Sequence, residues 1–237
     1  MQQTRLQHFS RAAPMSWRRL AVTTLMGLVL SGCAGTPSSS REDEVEPLDV
    51  NCQAPIQPEE EVHLDLVDRL AESGKPYAAL AQLEGQPLTT PDHWVRKGRL
   101  LASTQQLRAS EQLFRSLAQQ CDTAEAHHGL GMVLLKTWRT EAGLAELRIA
   151  RADSPSSGNI RNDYGYALLL SGEYEHAAYE LRTALELMDG KGPVRQNLAA
   201  AYLLTNNDQG LKVLTERYGF GVDEIAHAQR LADSIRR

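Results

Sequence analysis

Three cysteines, at 33, 52 and 121, and seven histidines are the side chains of this 237-residue sequence best suited to do chemistry. In an oxidising compartment Cys52 and Cys121 form an even pair open to a disulfide. The alternative is two separate thiols, with Cys121 packed at a helix end, since a bridge requires Cα atoms within ~7 Å. His127 and His128 are neighbours, so on a helix they point about 100° apart and share a metal poorly. Glu125 and His128 could touch one ion, but two ligands do not make a site, and a solvated helix face is the better reading. His63, His93, His176 and His227 are scattered singly. There is no G-x-S-x-G elbow, no phosphate-binding G-x-x-x-x-G-K-[ST] loop and no H-E-x-x-H. The sequence therefore implies no catalytic residue, no cofactor and no metal.

Cys33 belongs to a different context. Residues 1–32 carry Arg5, Arg11, Arg18 and Arg19 and no acid, and an apolar run from Leu20 to Leu30 follows Trp17-Arg18-Arg19. That run is too short to span a bilayer, which takes ~20 apolar residues, and reads as a secretory signal. It closes on Leu30-Ser31-Gly32-Cys33, which resembles a bacterial lipobox. The resemblance implies a mature chain that starts at a lipid-modified Cys33 and is held by more than one acyl chain, enough for stable anchoring. Without the signal, 21 basic side chains face 30 acidic ones, a net charge of −9. Such a chain offers no footprint for nucleic acid and no polybasic patch for anionic lipid.

Residues 33–61 read as a lipidated, mostly disordered linker, rich in Ser, Pro, Gly and acids. As a flexible coil it reaches ~30 Å from the membrane. Its later half, with Cys52, Pro55 and Pro58, has the means to dock on the folded part. From Val62 onward the apolar spacing is three and four, the helical period, with no strand-type alternation.

A repeat organises this helical region. Leu130-Gly131, Tyr164-Gly165 and Leu198-Ala199 follow one another at 34 residues, as do Leu134, Leu168 and Tyr202. A 34-residue period of paired helices resembles the tetratricopeptide repeat (TPR). Trp94, Gly98, Leu101 and Phe114 fit its consensus in a unit at 91–123. Leu130, Gly131, Leu147, Ala150 and Pro155 fit at 124–157. Gly165, Gly172, Tyr174, Ala177, Leu181 and Ala184 fit at 158–191. Units near 62–90 (Leu70, Gly74, Ala79, Leu83) and 192–220 (Leu198, Ala199, Tyr202) are less regular. Three residues depart from the pattern: Trp138 at a turn glycine, Asp189 at a closing proline, and Leu211 where a small residue is wanted. The expected fold is an all-α TPR solenoid over 62–220, capped by an amphipathic helix in 221–237.

In such a solenoid the first helix of each hairpin lines a concave groove. The consensus positions put Asp92, Val95, Arg99, Glu125, His128, Met132, Leu135 and Lys136 there, followed by Asn159, Asn162, Tyr166, Leu169, Gln196 and Ala200. This face lacks the Lys, Arg and Asn set that clamps a C-terminal carboxylate in chaperone-type TPRs. Mixed apolar and amide side chains suit a peptide or helix from a protein partner. Arg99, His128, Met132, Lys136, Asn162, Tyr166 and Gln196 are the candidate contacts, Met132 and Tyr166 as partly exposed anchors. The plain alternative is a solvated face, or one covered by the linker.

Arg161-Asn-Asp-Tyr-Gly-Tyr-Ala-Leu-Leu-Leu-Ser-Gly-Glu-Tyr174 resembles the central repeat of the TadD family, TPR lipoproteins of tight-adherence (Flp) pilus assembly. Arg195-Gln-Asn-Leu-Ala-Ala-Ala-Tyr202 resembles it too, so the likeness covers about 160 to 205. It implies a non-enzymatic factor on the periplasmic face of the bacterial outer membrane, whose partners belong to the pilus secretion apparatus, a secretin among them. Ala34 after the cysteine agrees with outer-membrane sorting. A pilotin of a type IVa pilus secretin, a β-barrel assembly lipoprotein, and a cell-wall enzyme or regulator stay open as alternatives.

Overall fold

Prolines and short polar caps set where the helices start. Pro58, Pro76 and Pro91 each stand in a first helical turn, where the missing N–H had no partner to lose. The side chains of Thr123, Ser157 and Asn207 accept the backbone N–H groups of Ala126, Ile160 and Gly210. The computed structural model describes residues 48–236. Cys33, the signal segment 1–32 and the linker as far as residue 47 lie outside the described residues.

Five antiparallel hairpins follow in order. They are α1 (Pro58–Glu72) with α2 (Pro76–Glu84), α3 (Pro91–Ser103) with α4 (Leu107–Cys121), and α5 (Ala124–Lys136) with α6 (Thr140–Asp153). Then come α7 (Gly158–Leu170) with α8 (Tyr174–Leu187), α9 (Val194–Leu204) with α10 (Asp208–Tyr218), and a last helix, α11 (Val222–Ile235). No strand occurs among the described residues. The first helix begins at Pro58, four residues before Val62, where the helical period starts in the sequence. Glu60 turns back to accept the Gln57 N–H at 2.8 Å, which extends the ordered start into the acidic run.

The turn inside every hairpin uses one left-handed residue: Gly74, Gln105, Trp138, Gly172 and Asn206, with φ of 75°, 65°, 62°, 84° and 53°. The turn geometry is thus kept at Gln105 and Trp138, where the sequence supplies no glycine, at a cost of ~1–2 kcal/mol for each Cβ.

Within and between hairpins, small residues meet large ones. The Phe114 ring is 1% exposed and wedged between Gly98 of its own hairpin and Gly129 of the next. A Cβ on Gly98 would lie 2.5 Å from that ring, and one on Gly129 would overlap it. Leu147 fills the same place against Gly131, and Leu181 against Gly165. Ser110 takes the small-residue position in α4 and donates to the Gly98 carbonyl at 2.7 Å.

At the C-terminal end the register shifts. Leu211 is half-buried, and the close approach passes to Gly210, where a Cβ would sit 2.7 Å from the Tyr202 ring. Ala228 and Ala232 of α11 are fully buried on the core that α9 contributes to, and Arg195 of α9 binds Glu224 of α11. At the other end, residues 48–57 are fastened to the array. Leu48 and Val50 pack on the Phe114 cluster, Ile56 packs on the Leu64 and Leu83 cluster, and the Asn51 N–H donates to the Thr89 carbonyl. Cys52 and Cys121 are joined as a disulfide, with Cα atoms 5.2 Å apart.

Candidate partner-binding groove

The first helices of the hairpins share one face, and polar rungs tie most of them to a neighbour. Arg96 of α3 makes a two-toothed pair with Asp68 of α1, the shorter bond 2.8 Å. His128 of α5 pairs with Asp163 of α7 at 2.7 Å. Asn197 of α9 donates to Asn162 of α7 at 3.0 Å, and Arg195 of α9 binds Glu224 of α11 at 2.9 and 3.0 Å.

Two hollows open on this face. One, about 470 Å³, lies between the docked N-terminal segment at Cys52 and Ala54 and the residues Arg96, Arg99, Thr123 and Glu125. The other, about 340 Å³, continues from Arg99 and Glu125 past His128, Asn159, Asn162 and Asp163 to Pro193. Arg99 and Glu125 line both. Arg99 is solvent-accessible yet ringed by protein, and this burial, with Arg96 nearby, pushes its guanidinium pKa down.

Of the expected contacts, Arg99, His128 and Asn162 are brought together here. Asn162 is only 4% exposed, and its amide is engaged with Asp163 and Asn197, so it braces the groove wall rather than offering a free amide. Met132 and Tyr166 are half-buried and pack on the main core. Lys136 is exposed and Gln196 half-buried; neither lines the two hollows. Leu135, Leu169 and Ala200 are core residues, not groove residues, because the helices pack so closely that these positions turn inward, whereas Val95 is buried yet lines the first hollow. Asp163, Ser157 and Pro193 line the second hollow although the repeat positions do not mark them as groove residues.

The histidine pair is not a solvated face. His127 is 9% exposed, and its two nitrogens meet Glu146 at 2.6 Å and Asp122 at 2.9 Å. Burial lowers its pKa, but the bonds to Glu146 and Asp122 outweigh that and raise it above the usual histidine value. His63 and His93, far apart in sequence, converge with Glu59 and Glu60 on a separate hollow of about 520 Å³ at the N-terminal end. His93 bonds Thr90 at 2.8 Å, and burial lowers its pKa. No group of three or more metal-ligating side chains occurs among the described residues.

Comparison with known proteins places this geometry in a class. No protein-family model matches the chain. Its fold is similar to the TPR protein TTC0263 of Thermus thermophilus, at 21% identity and a TM-score of 0.57, over 72% of this chain and 98% of that one. It is similar also to MamA from Desulfovibrio magneticus RS-1, at 17% identity and a TM-score of 0.50, over 76% and 99%. These likenesses show the fold, a TPR solenoid. The chain is 30% identical, over 210 residues, to the TPR repeat-containing protein PA4299 of Pseudomonas aeruginosa, covering 89% of this chain and 82% of that protein. It belongs to the TPR repeat-containing proteins.

Proposed function

We propose that this TPR protein is a non-enzymatic assembly factor of the Flp (type IVb) pilus secretion machinery. It is anchored through lipidated Cys33 to the periplasmic face of the outer membrane, and it holds a protein partner in its concave groove. The partner is a secretin or a protein docked on one. The observation that carries the binding reading is the pair of continuous hollows on the concave face, lined by polar groups. The pilus assignment rests on the repeat string from Arg161 to Tyr174, which spans α7 and the start of α8, and the anchoring on Leu30-Ser31-Gly32-Cys33.

Affinity recovery from solubilised outer membranes tests the partner. Wild-type bait is expected to bring down a secretion component of the pilus. Clean bait from cells that express the whole machine would count against the scaffold role. Cys33→Ser tests the anchor: labelled palmitate should no longer be incorporated, and the protein should leave the outer-membrane fraction. Persistence of the variant in that fraction would show that Cys33 is not the anchor.

A further inference from the structure

The ladder of rungs along the concave face has one gap. Helix α1 is tied to α3, α5 to α7, α7 to α9 and α9 to α11, each by a direct side-chain bond. Between α3 and α5 no such bond exists among the described residues. Arg99 of α3 and Glu125 of α5 face each other's field there, yet neither side chain makes a hydrogen bond or ion pair among the described residues. The gap falls where the two hollows meet.

An unpaired guanidinium in a concavity is a group in search of acceptors. Its surroundings decide which acceptor suits it. A carboxylate would satisfy Arg99 but would meet Glu125, Asp163 and Asp92, all carboxylates on the same face. Asp92 and Asp68 already outnumber the one guanidinium, Arg96, that they share. An ammonium would satisfy Glu125 and be repelled by Arg99. The primary amide of Asn or Gln presents a carbonyl acceptor and an N–H donor together, and one residue of an extended main chain presents its own N–H and C=O to the same side. Either matches a donor-only and an acceptor-only group lining one hollow.

We infer that Arg99 and Glu125 form an amide-reading site, in which Arg99 donates to a carbonyl and Glu125 accepts an N–H of an extended peptide laid along the groove. The inference rests on the groove reading proposed above. The carbonyl and the N–H belong either to one residue of the extended main chain or to the amide of an Asn or Gln side chain.

A random dodecapeptide display library, panned against the full chain purified from membranes in detergent, provides the probe. Selected peptides should bind wild type with affinity that changes little with added salt. Arg99→Ala and Glu125→Gln should each weaken them about tenfold or more, as expected for loss of a hydrogen bond to a charged group. Their melting temperatures should stay at the wild-type value, because neither side chain supports the fold through a bond of its own. Enrichment of Asn or Gln at one position assigns the amide to a side chain. Sensitivity to N-methylation of one peptide bond, without such enrichment, assigns it to the main chain. An acidic consensus whose binding collapses with salt would overturn the amide in favour of a carboxylate. Peptides that bind wild type and both variants equally would overturn this site and leave the groove reading standing. Failure to select any peptide would remove the groove reading itself.

Discussion

His127 shows how far a residue's surroundings outrun its type. Two carboxylates, Glu146 and Asp122, hold its imidazole between α4, α5 and α6. Its folded-state pKa is raised, so its contribution to stability is fully present below the unfolded value of ~6.5 and is lost as pH rises through the folded one. His127→Gln should therefore lower the melting temperature most in mildly acidic buffer, and the gap to wild type should close as the pH is raised above ~6.5. A gap that stays constant across that range would show that folding does not raise the histidine's pKa. Glu180 is a second residue of this kind, fully buried and bound by Arg151 at 2.7 Å and by Arg161. Glu180→Gln would strand two guanidiniums and should destabilise by ~3–5 kcal/mol in urea titration, the range for breaking a buried ion pair.

At the scale of elements, each hairpin turns on one left-handed residue, and the three middle hairpins also set one large side chain against a glycine of their first helix. Trp138 holds φ at 62° while 89% exposed, so its ring contributes little packing and its Cβ adds strain. Trp138→Gly should leave stability unchanged or raise it by up to ~1 kcal/mol, because relief of the left-handed strain slightly exceeds the added backbone entropy of glycine. A clear loss of stability would mean that the indole makes a contact worth more than the strain. Phe114 is the opposite case. Phe114→Ala would open a cavity between Gly98 and Gly129 where neither neighbour has a side chain to fill it, and should cost ~3–5 kcal/mol by chemical denaturation. The repeat spacing marks Phe114 and Gly98 in the sequence. Gly129 carries no such mark, because its role arises only when the next hairpin docks.

At the scale of the molecule, the Cys52–Cys121 bridge joins residues 69 apart and pins the segment before α1 to the end of α4, beside the groove. Cys52→Ser should destabilise by ~2–4 kcal/mol. Non-reduced peptide mapping of the protein isolated from cells should recover the bridged pair; two free, alkylatable thiols would exclude it in the cell. The sequence alone determined the repeat, the helical class and the cast of large and small residues. These depend on local periodicity, and a 34-residue recurrence of a large residue followed by a small one is visible without any contact being known. Tertiary structure decided the rest, because it turns on distances between residues far apart in the chain. It turned the His127-His128 pair from a solvent face into a hydrogen-bonded junction with Glu146, Asp122 and Asp163 and buried Asn162 in the wall of the groove. It also left Arg99 and Glu125 without hydrogen bonds or ion pairs among the described residues, at the junction of two hollows. Side chains of one repeat meet their partners in the next, some 28 to 35 residues away, and that choice among many possible partners is made only when the hairpins stack.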